Sequence, residues 1–271
     1  MNDARPNACR EPVGTAIAAA LSECDAYAKV RKARKVARDW RLSRLAFAFP
    51  DEMPERPGRP ERPELLAPRH MPRRGRAQSL RGRIALFHSL AHIEFVAIDL
   101  ALDMAGRFGA QMGEEFVGDF LAVAADEAMH FVLLDRHLAT LGSKYGDLPA
   151  HDGLWTSAHA TRYDVAARLV VVPMVLEARG LDVTPMMIER LRQAGDLRGE
   201  RILSRVLDDE IRHVSAGSKH FFALCDERAT DPRNLWKVLR NAHFDGPVNP
   251  PFNDSARRSA GLSREFYAEV E

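Results

Sequence analysis

The stretch Asp126-Glu127-Ala128-Met129-His130 returns 83 residues later as Asp209-Glu210-Ile211-Arg212-His213. Positions three apart share a helix face, so each Glu and its His point the same way and can reach one centre. Each copy is preceded at one distance by a further glutamate. Glu94 lies 33 residues before Glu127, and Glu177 lies 33 before Glu210. The chain thus repeats a helix pair whose pattern is Glu, then Glu-x-x-His. A lone Glu-x-x-His carries little information, because helices contain many by chance. Two copies at one offset carry far more.

The acidic positions sit in apolar stripes. Glu94 shares a face with Phe87, Leu90, Ala91, Ile98 and Ala101. Glu127 and His130 share one with Phe116, Phe120, Val123 and Leu134. Val170 and Met174 flank Glu177; Leu203, Val206 and Gly217 flank Glu210 and His213. The periodicity predicts four long helices, from about Leu80 to Gly109, Gly113 to Leu141, Ser157 to Arg179 with Gly180 as C-cap, and Asp196 to Cys225. Thr184 and Pro185 read as the cap and first position of a short helix over 185–194. No long stretch alternates like a strand, and Val170, Val171 and Val172 lie inside a helical pattern. The expected class is all-α, a ferritin-like four-helix bundle with an added N-terminal helix and an irregular C-terminal segment. The 15 residues from Gly142 to Thr156 reach about 50 Å when extended, enough for the long crossover of such a bundle.

Charge argues for metal. Four carboxylates gathered without compensation repel one another and lose their hydration. Two divalent cations would neutralise them and leave both imidazoles neutral. Glu94, Glu127, His130, Glu177, Glu210 and His213 are therefore the expected ligands of two metal ions. Carboxylate-rich sites suit iron or manganese, and ligand type alone leaves Mn/Fe and zinc open. Asp126 and Asp209, each four residues before a histidine, are placed to accept the outer N–H of an imidazole. Arg212 can pair with an aspartate. His88 and His92 fall off the Glu94 face and read as core or surface residues; His137 and His220 read as packing.

Outside the repeat, residues 1–50 form an N-terminal helical segment, 51–78 a proline-rich connector, 79–228 the bundle and 229–271 a C-terminal extension. A helix is expected over 13–48, with Lys29, Arg31, Lys32, Arg34, Lys35, Arg38 and Arg41 as a solvated basic face. Pro54, Pro57, Pro60, Pro63, Pro68 and Pro72 break up the connector. One short helix is expected near Asp254 to Ala260. Pro173, one turn before Glu177, should kink its helix and can open a pocket beside the metals. Gly217 leaves room for one.

Composition narrows the function. The 271 residues are 46% hydrophobic, with 39 Lys and Arg against 38 Asp and Glu. Near-neutral charge gives no reason to expect a nucleic acid or membrane partner. Arg73, Arg74, Arg76, Arg81 and Arg83 cluster without interleaved aromatics, which does not favour nucleic acid. Cys9, Cys24 and Cys225 make no CxxC pair, consistent with a reducing, cytoplasmic setting. No run of about 18 apolar residues suggests a membrane span, and no signal peptide is evident.

The stretches MPRR, HSLAHIEFVAIDLALD, VAADEAMHF, VPMVLEARGLDVTP, DDEIRHVSAG and GPVNPPFNDSARRSAG resemble a bacterial ferritin-like family catalogued as domain of unknown function 455. The resemblance covers roughly residues 65 to 265. It implies a ferritin-like bundle with the six ligands at di-iron positions, and it implies no substrate. Met129 stands where such Glu-x-Arg-His motifs commonly carry Arg. The expected function is a di-iron or Mn/Fe oxidase or oxygenase activating O₂ or peroxide, with a small-molecule substrate and an external electron donor. A tRNA-modifying hydroxylase is a narrower form of it by analogy. The alternatives are an iron-handling protein (ferroxidase, iron buffer or peroxide scavenger) and a non-enzymatic scaffold stabilised by metal. The oligomeric state is not legible.

Overall fold

The computed structural model describes residues 10–50, 52–72 and 79–268; Cys9, Arg73, Arg74 and Arg76 lie outside them. Regular structure among the described residues is helical, and the only β-type pairings there are the isolated bridges Pro12–Ala46 and Leu65–Ala150. The all-α expectation holds.

The single helix expected over 13–48 is two. They are α1 (Val13–Leu21) and α2 (Ala26–Arg41). The chain breaks where Asp25 accepts a hydrogen bond from the Ala28 N–H at 2.7 Å, a fresh N-cap. The basic face also needs correction at one position. Lys29 is fully buried, ion-paired with Asp99, and donates to the Gly58 carbonyl at 2.6 Å.

Helix α3 (Leu80–Met112) starts where Ser79 accepts from the Gly82 N–H at 3.1 Å. Gly113, at φ +93°, takes a conformation that disfavours side chains and turns the chain into α4 (Glu114–Thr140). The two helices pack along each other. Among the described residues α3 alone is long and apolar enough to cross a bilayer, but 67% of its most apolar window is buried in the protein. It also carries Glu94, Asp99 and Asp103 in that interior.

The crossover is tied down rather than merely extended. Two backbone N–H groups, of Gly146 and Leu148, donate to His88 Nε2 at 3.0 and 3.3 Å. His92 hydrogen-bonds the Tyr145 hydroxyl at 2.9 Å and the His151 carbonyl at 3.1 Å. The crossover then runs into α5 (Gly153–Ala160).

The third expected helix differs most. It is interrupted at Thr161–Asp164, where Asp164 accepts from the Ala166 and Ala167 N–H groups and starts α6 (Val165–Leu169). A π-helical stretch follows over Val170–Glu177, with Pro173 inside it. Then α7 (Ala178–Gln193) runs straight through Gly180 and Pro185, so Gly180 ends nothing and Thr184 caps nothing. Leu181 and Leu191 are fully buried, and tertiary packing of that kind overrides weak local stop signals. Asp196 caps α8 (Leu197–Glu227), accepting from the Gly199 N–H at 2.9 Å.

The C-terminal segment is more regular than expected. It holds α9 (Pro232–His243) and α10 (Asp254–Ser259), the latter at the one helix foreseen there. The α9 start, Asp231 as cap and Pro232 in the first turn, was readable in the sequence. One core takes Ile17 and Leu21 from α1, Phe95 from α3, Trp236 from α9 and Phe266. The two helix pairs meet where α4 packs on α8.

Candidate metal centre

That meeting of α4 and α8 brings the duplicated motifs together. One ligand atom from each of Glu94, Glu127, His130 and Glu210 lies within 4.8 Å of every other, and all four residues are buried. His130 Nδ1 is 3.2 Å from Glu127 and 3.3 Å from Glu94. His213 joins from α8, with Nδ1 3.0 Å from Glu127 Oε1 and 3.6 Å from Glu210 Oε2. Glu177 closes the π-helical stretch and is the least enclosed of the six. Its carboxyl still feels the charges of Glu210, His213 and Glu127. The geometry thus gathers four of the expected ligands tightly, seats His213 against them, and sets Glu177 at their side.

Among the described residues Glu177 Oε2 and Glu210 Oε2 are buried without a hydrogen-bond partner, while Glu127 Oε1 and His213 Nδ1 face each other at 3.0 Å. Buried polar atoms are nearly always satisfied, and leaving one unsatisfied costs about 1–3 kcal/mol. Two unpartnered oxygens beside a carboxylate–imidazole contact, in one buried place, fit a cation.

The far side of each imidazole is held across the repeat. His130 Nε2, on α4, faces Asp209 of α8 at 3.1 Å. His213 Nε2, on α8, faces Asp126 of α4 at 3.5 Å. Arg212 spans both aspartates, at 3.0 Å to Asp126 and 2.6 Å to Asp209. Arg205 also donates to Asp209, a contact that the Arg205/Asp209 spacing of four residues could have revealed. Burial favours protonation of Asp209, but Arg205 and His130 hold its pKa below the usual carboxylate range. Burial acts likewise on Asp126, and His213 and Arg212 prevail. Charged aspartates accept from Nε2–H, which leaves the Nδ1 lone pairs facing the cluster.

The carboxylates and imidazoles of the cluster perturb one another strongly. Burial and the Glu127 charge push Glu94 well above the carboxylate range. Burial and Glu210 push Glu177 up to about 8. Burial and Glu127 raise Glu210. Burial disfavours the imidazolium of His130, yet hydrogen bonds to Glu127 and Glu94 lift it to about 11. His213 is raised well above its ordinary value against the same penalty, by Glu127 and Glu210. Glu127 falls well below the usual range, burial being outweighed by His213 and by hydrogen bonds from its neighbours. All of these groups but Glu127 are pushed toward protonation, as buried clustered carboxylates push one another and their neighbouring imidazoles.

Two expectations about a pocket change. A Cβ on Gly217 would lie 2.3 Å from two ring carbons of Pro173, so that glycine admits the proline rather than a substrate. Pro173 distorts its helix as expected, but its ring fills the space it was expected to open. A groove of about 860 Å³ between α2 and α4 does reach the outer edge of the site, at Asp126. His137 hydrogen-bonds the α8 cap Asp196 at 3.0 Å, and His220 packs on Phe116 while bonding Asp119 at 2.8 Å, the structural roles expected of them.

A family model described as "Protein of unknown function (DUF455)" matches residues 22–268. An "Uncharacterized protein" of Haemophilus influenzae is 42% identical over 216 residues, covering 76% of this chain and 75% of the relative. No solved structure matches.

Proposed function

Because the chain belongs to the DUF455 family, whose description leaves its chemistry open, we propose from the site alone that it is a ferritin-like dimetal protein that activates dioxygen or peroxide. One observation carries the reading: buried carboxylates and imidazoles from two duplicated helix pairs converge, and the oxygens Glu177 Oε2 and Glu210 Oε2 among them have no hydrogen-bond partner. The residues that would hold two cations are Glu94, Glu127, His130, Glu177, Glu210 and His213. Iron, or manganese with iron, suits this donor set and would supply the redox chemistry.

The chain does the rest. Asp209 and Asp126 fix the imidazole tautomers. Glu94, Glu127, His130, Glu210 and His213 are themselves buried, which keeps bulk water away. Glu177, the least enclosed ligand, is the one best able to swing or exchange a proton as an incoming molecule binds. The contact of Pro173 with Gly217 favours a small oxidant over a bulky organic substrate, which gives the iron-handling reading its support.

Metal analysis of anaerobically purified protein, followed by O₂ exposure under absorbance and Mössbauer spectroscopy, tests this. The expected result is about two metals per chain and an oxygen-dependent spectral change. Transition-metal content near zero would end the reading. Oxygen consumed with iron oxidation and no organic product would select the iron-handling form. Glu127→Ala and Glu210→Ala should each empty the site, while His92→Ala should keep its metal; equal loss in all three would overturn the ligand assignment.

A further inference from the structure

The groove between α2 and α4 has features that the metal site does not use. Its floor is small, with Gly118, Ala122 and Ala125 following one face of α4. Its rim is basic. Arg31, Arg34, Lys35, Arg38 and Arg41 line it from α2, at spacings that keep them on one side of a helix. Lys35 and Arg38 are occupied by Asp39 at 2.8 and 3.1 Å. Arg31, Arg34 and Arg41 are exposed and have no acidic partner among the described residues. Over ten positions this row spans about 15 Å of helix.

We propose that this groove is a docking surface for an acidic amphipathic helix presented by a partner protein. Acidic residues repeating every three or four positions match the arginine row turn for turn. Small floor residues let a second helix approach closely and take its apolar side, the usual helix-in-groove mode. A nucleic acid strand fits the rim but not the floor. Sequence-tolerant strand binding uses a series of exposed rings for stacking, and the groove offers only Trp40, half-buried with its Nε1 over Gly118. Asp126, which holds His213, is one of the residues lining the groove. A docked partner therefore sits one hydrogen bond from the cluster. That last consequence rests on the metal reading; the docking does not.

The test uses the full chain and a fluorescein-labelled synthetic peptide of about four helical turns, with Glu on one face and Leu and Ala on the other. Anisotropy should report saturable binding that weakens with added salt and is lost when Gln replaces Glu. Arg31→Glu/Arg34→Glu/Arg41→Glu should weaken it about tenfold or more, since rim charges steer and select partners. The matching Lys substitutions should largely retain it. Ala122→Trp, at an exposed floor position, should also weaken it and leaves the rim intact, so it decides the matter if the triple variant fails to fold. Peptide binding that ignores both sets of substitutions overturns the proposal. So does single-stranded RNA of equal length binding more tightly than the peptide and indifferent to Ala122→Trp. The anisotropy readout does not involve metal, so failure here is separable from failure of the metal reading.

Discussion

An aspartate that accepts from a histidine decides which nitrogen of that ring is free. Asp209→Asn tests this on His130. An amide can donate to Nε2, which would move the ring proton to Nδ1 and turn a ligand into a donor. Metal affinity should fall by about 10–100-fold in competition with a chelator. Unchanged affinity would remove Asp209 from the site's support. His88 gives a pH prediction away from the ligands. Burial lowers its pKa below the ordinary 6.5, outweighing the charges of Asp147 and Asp135. Its Nε2 must stay unprotonated to accept from Gly146 and Leu148. A histidine whose folded pKa is depressed binds fewer protons than in the unfolded chain, so its contribution is present above about pH 6.5 and shrinks as pH falls. Exchange protection of those two amides should drop between about pH 7 and 5, and His88→Gln should remove that drop. A pH-independent wild type would show that the bond does not hold the crossover.

Among the elements, the π-helical stretch makes the clearest energetic statement. Pro173 and Gly217 occupy one space, so each limits what the other position can hold. Gly217→Ala should cost about 1–3 kcal/mol by overpacking. The same change on a Pro173→Ala background should cost measurably less, read as a coupling energy from denaturant melts. Strict additivity would mean that the backbone relaxes around the new methyl. The sequence signalled a disturbance at Pro173 correctly but could not give its form. A proline says that a helix loses a hydrogen bond, and only the facing helix determines whether the result is a kink, a break or a π turn. Gly180 and Pro185 show the same limit, one a stop signal and the other a start signal, both overridden by burial of Leu181 and Leu191. The convergence of Glu94, Glu127, His130 and Glu210 was legible for the opposite reason. Their spacing is a property of single helices, repeated, and needs no knowledge of packing. The exchange of aspartates between the pairs was not legible, because i and i+4 distances along one helix say nothing about the register of another.

At the scale of the molecule, both extensions are fastened to the core by buried charge. Lys29 carries α2 onto Asp99 of α3, and Arg257 carries α10 onto Asp182 of α7 with two hydrogen bonds, at 2.8 and 2.6 Å. Lys29 showed up in the sequence only as one more residue of a basic run. Its partner lies 70 residues away, beyond the reach of any local pattern. Removing one member of such a pair strands the other. Arg257→Met should cost about 3–5 kcal/mol, and Arg257→Met/Asp182→Leu should recover much of it. If the single variant melts like the wild type, the C-terminal segment is not clamped as described.

The crossed aspartates also bear on how the protein comes together. A fragment ending after α4 would carry His130 without Asp209 on its Nε2, and Asp126 with no imidazole to steer. Neither half of the duplicated chain is self-sufficient, although each keeps the complete motif. The socket exists only once the two halves have met, so whatever loads it must wait for the last stages of folding.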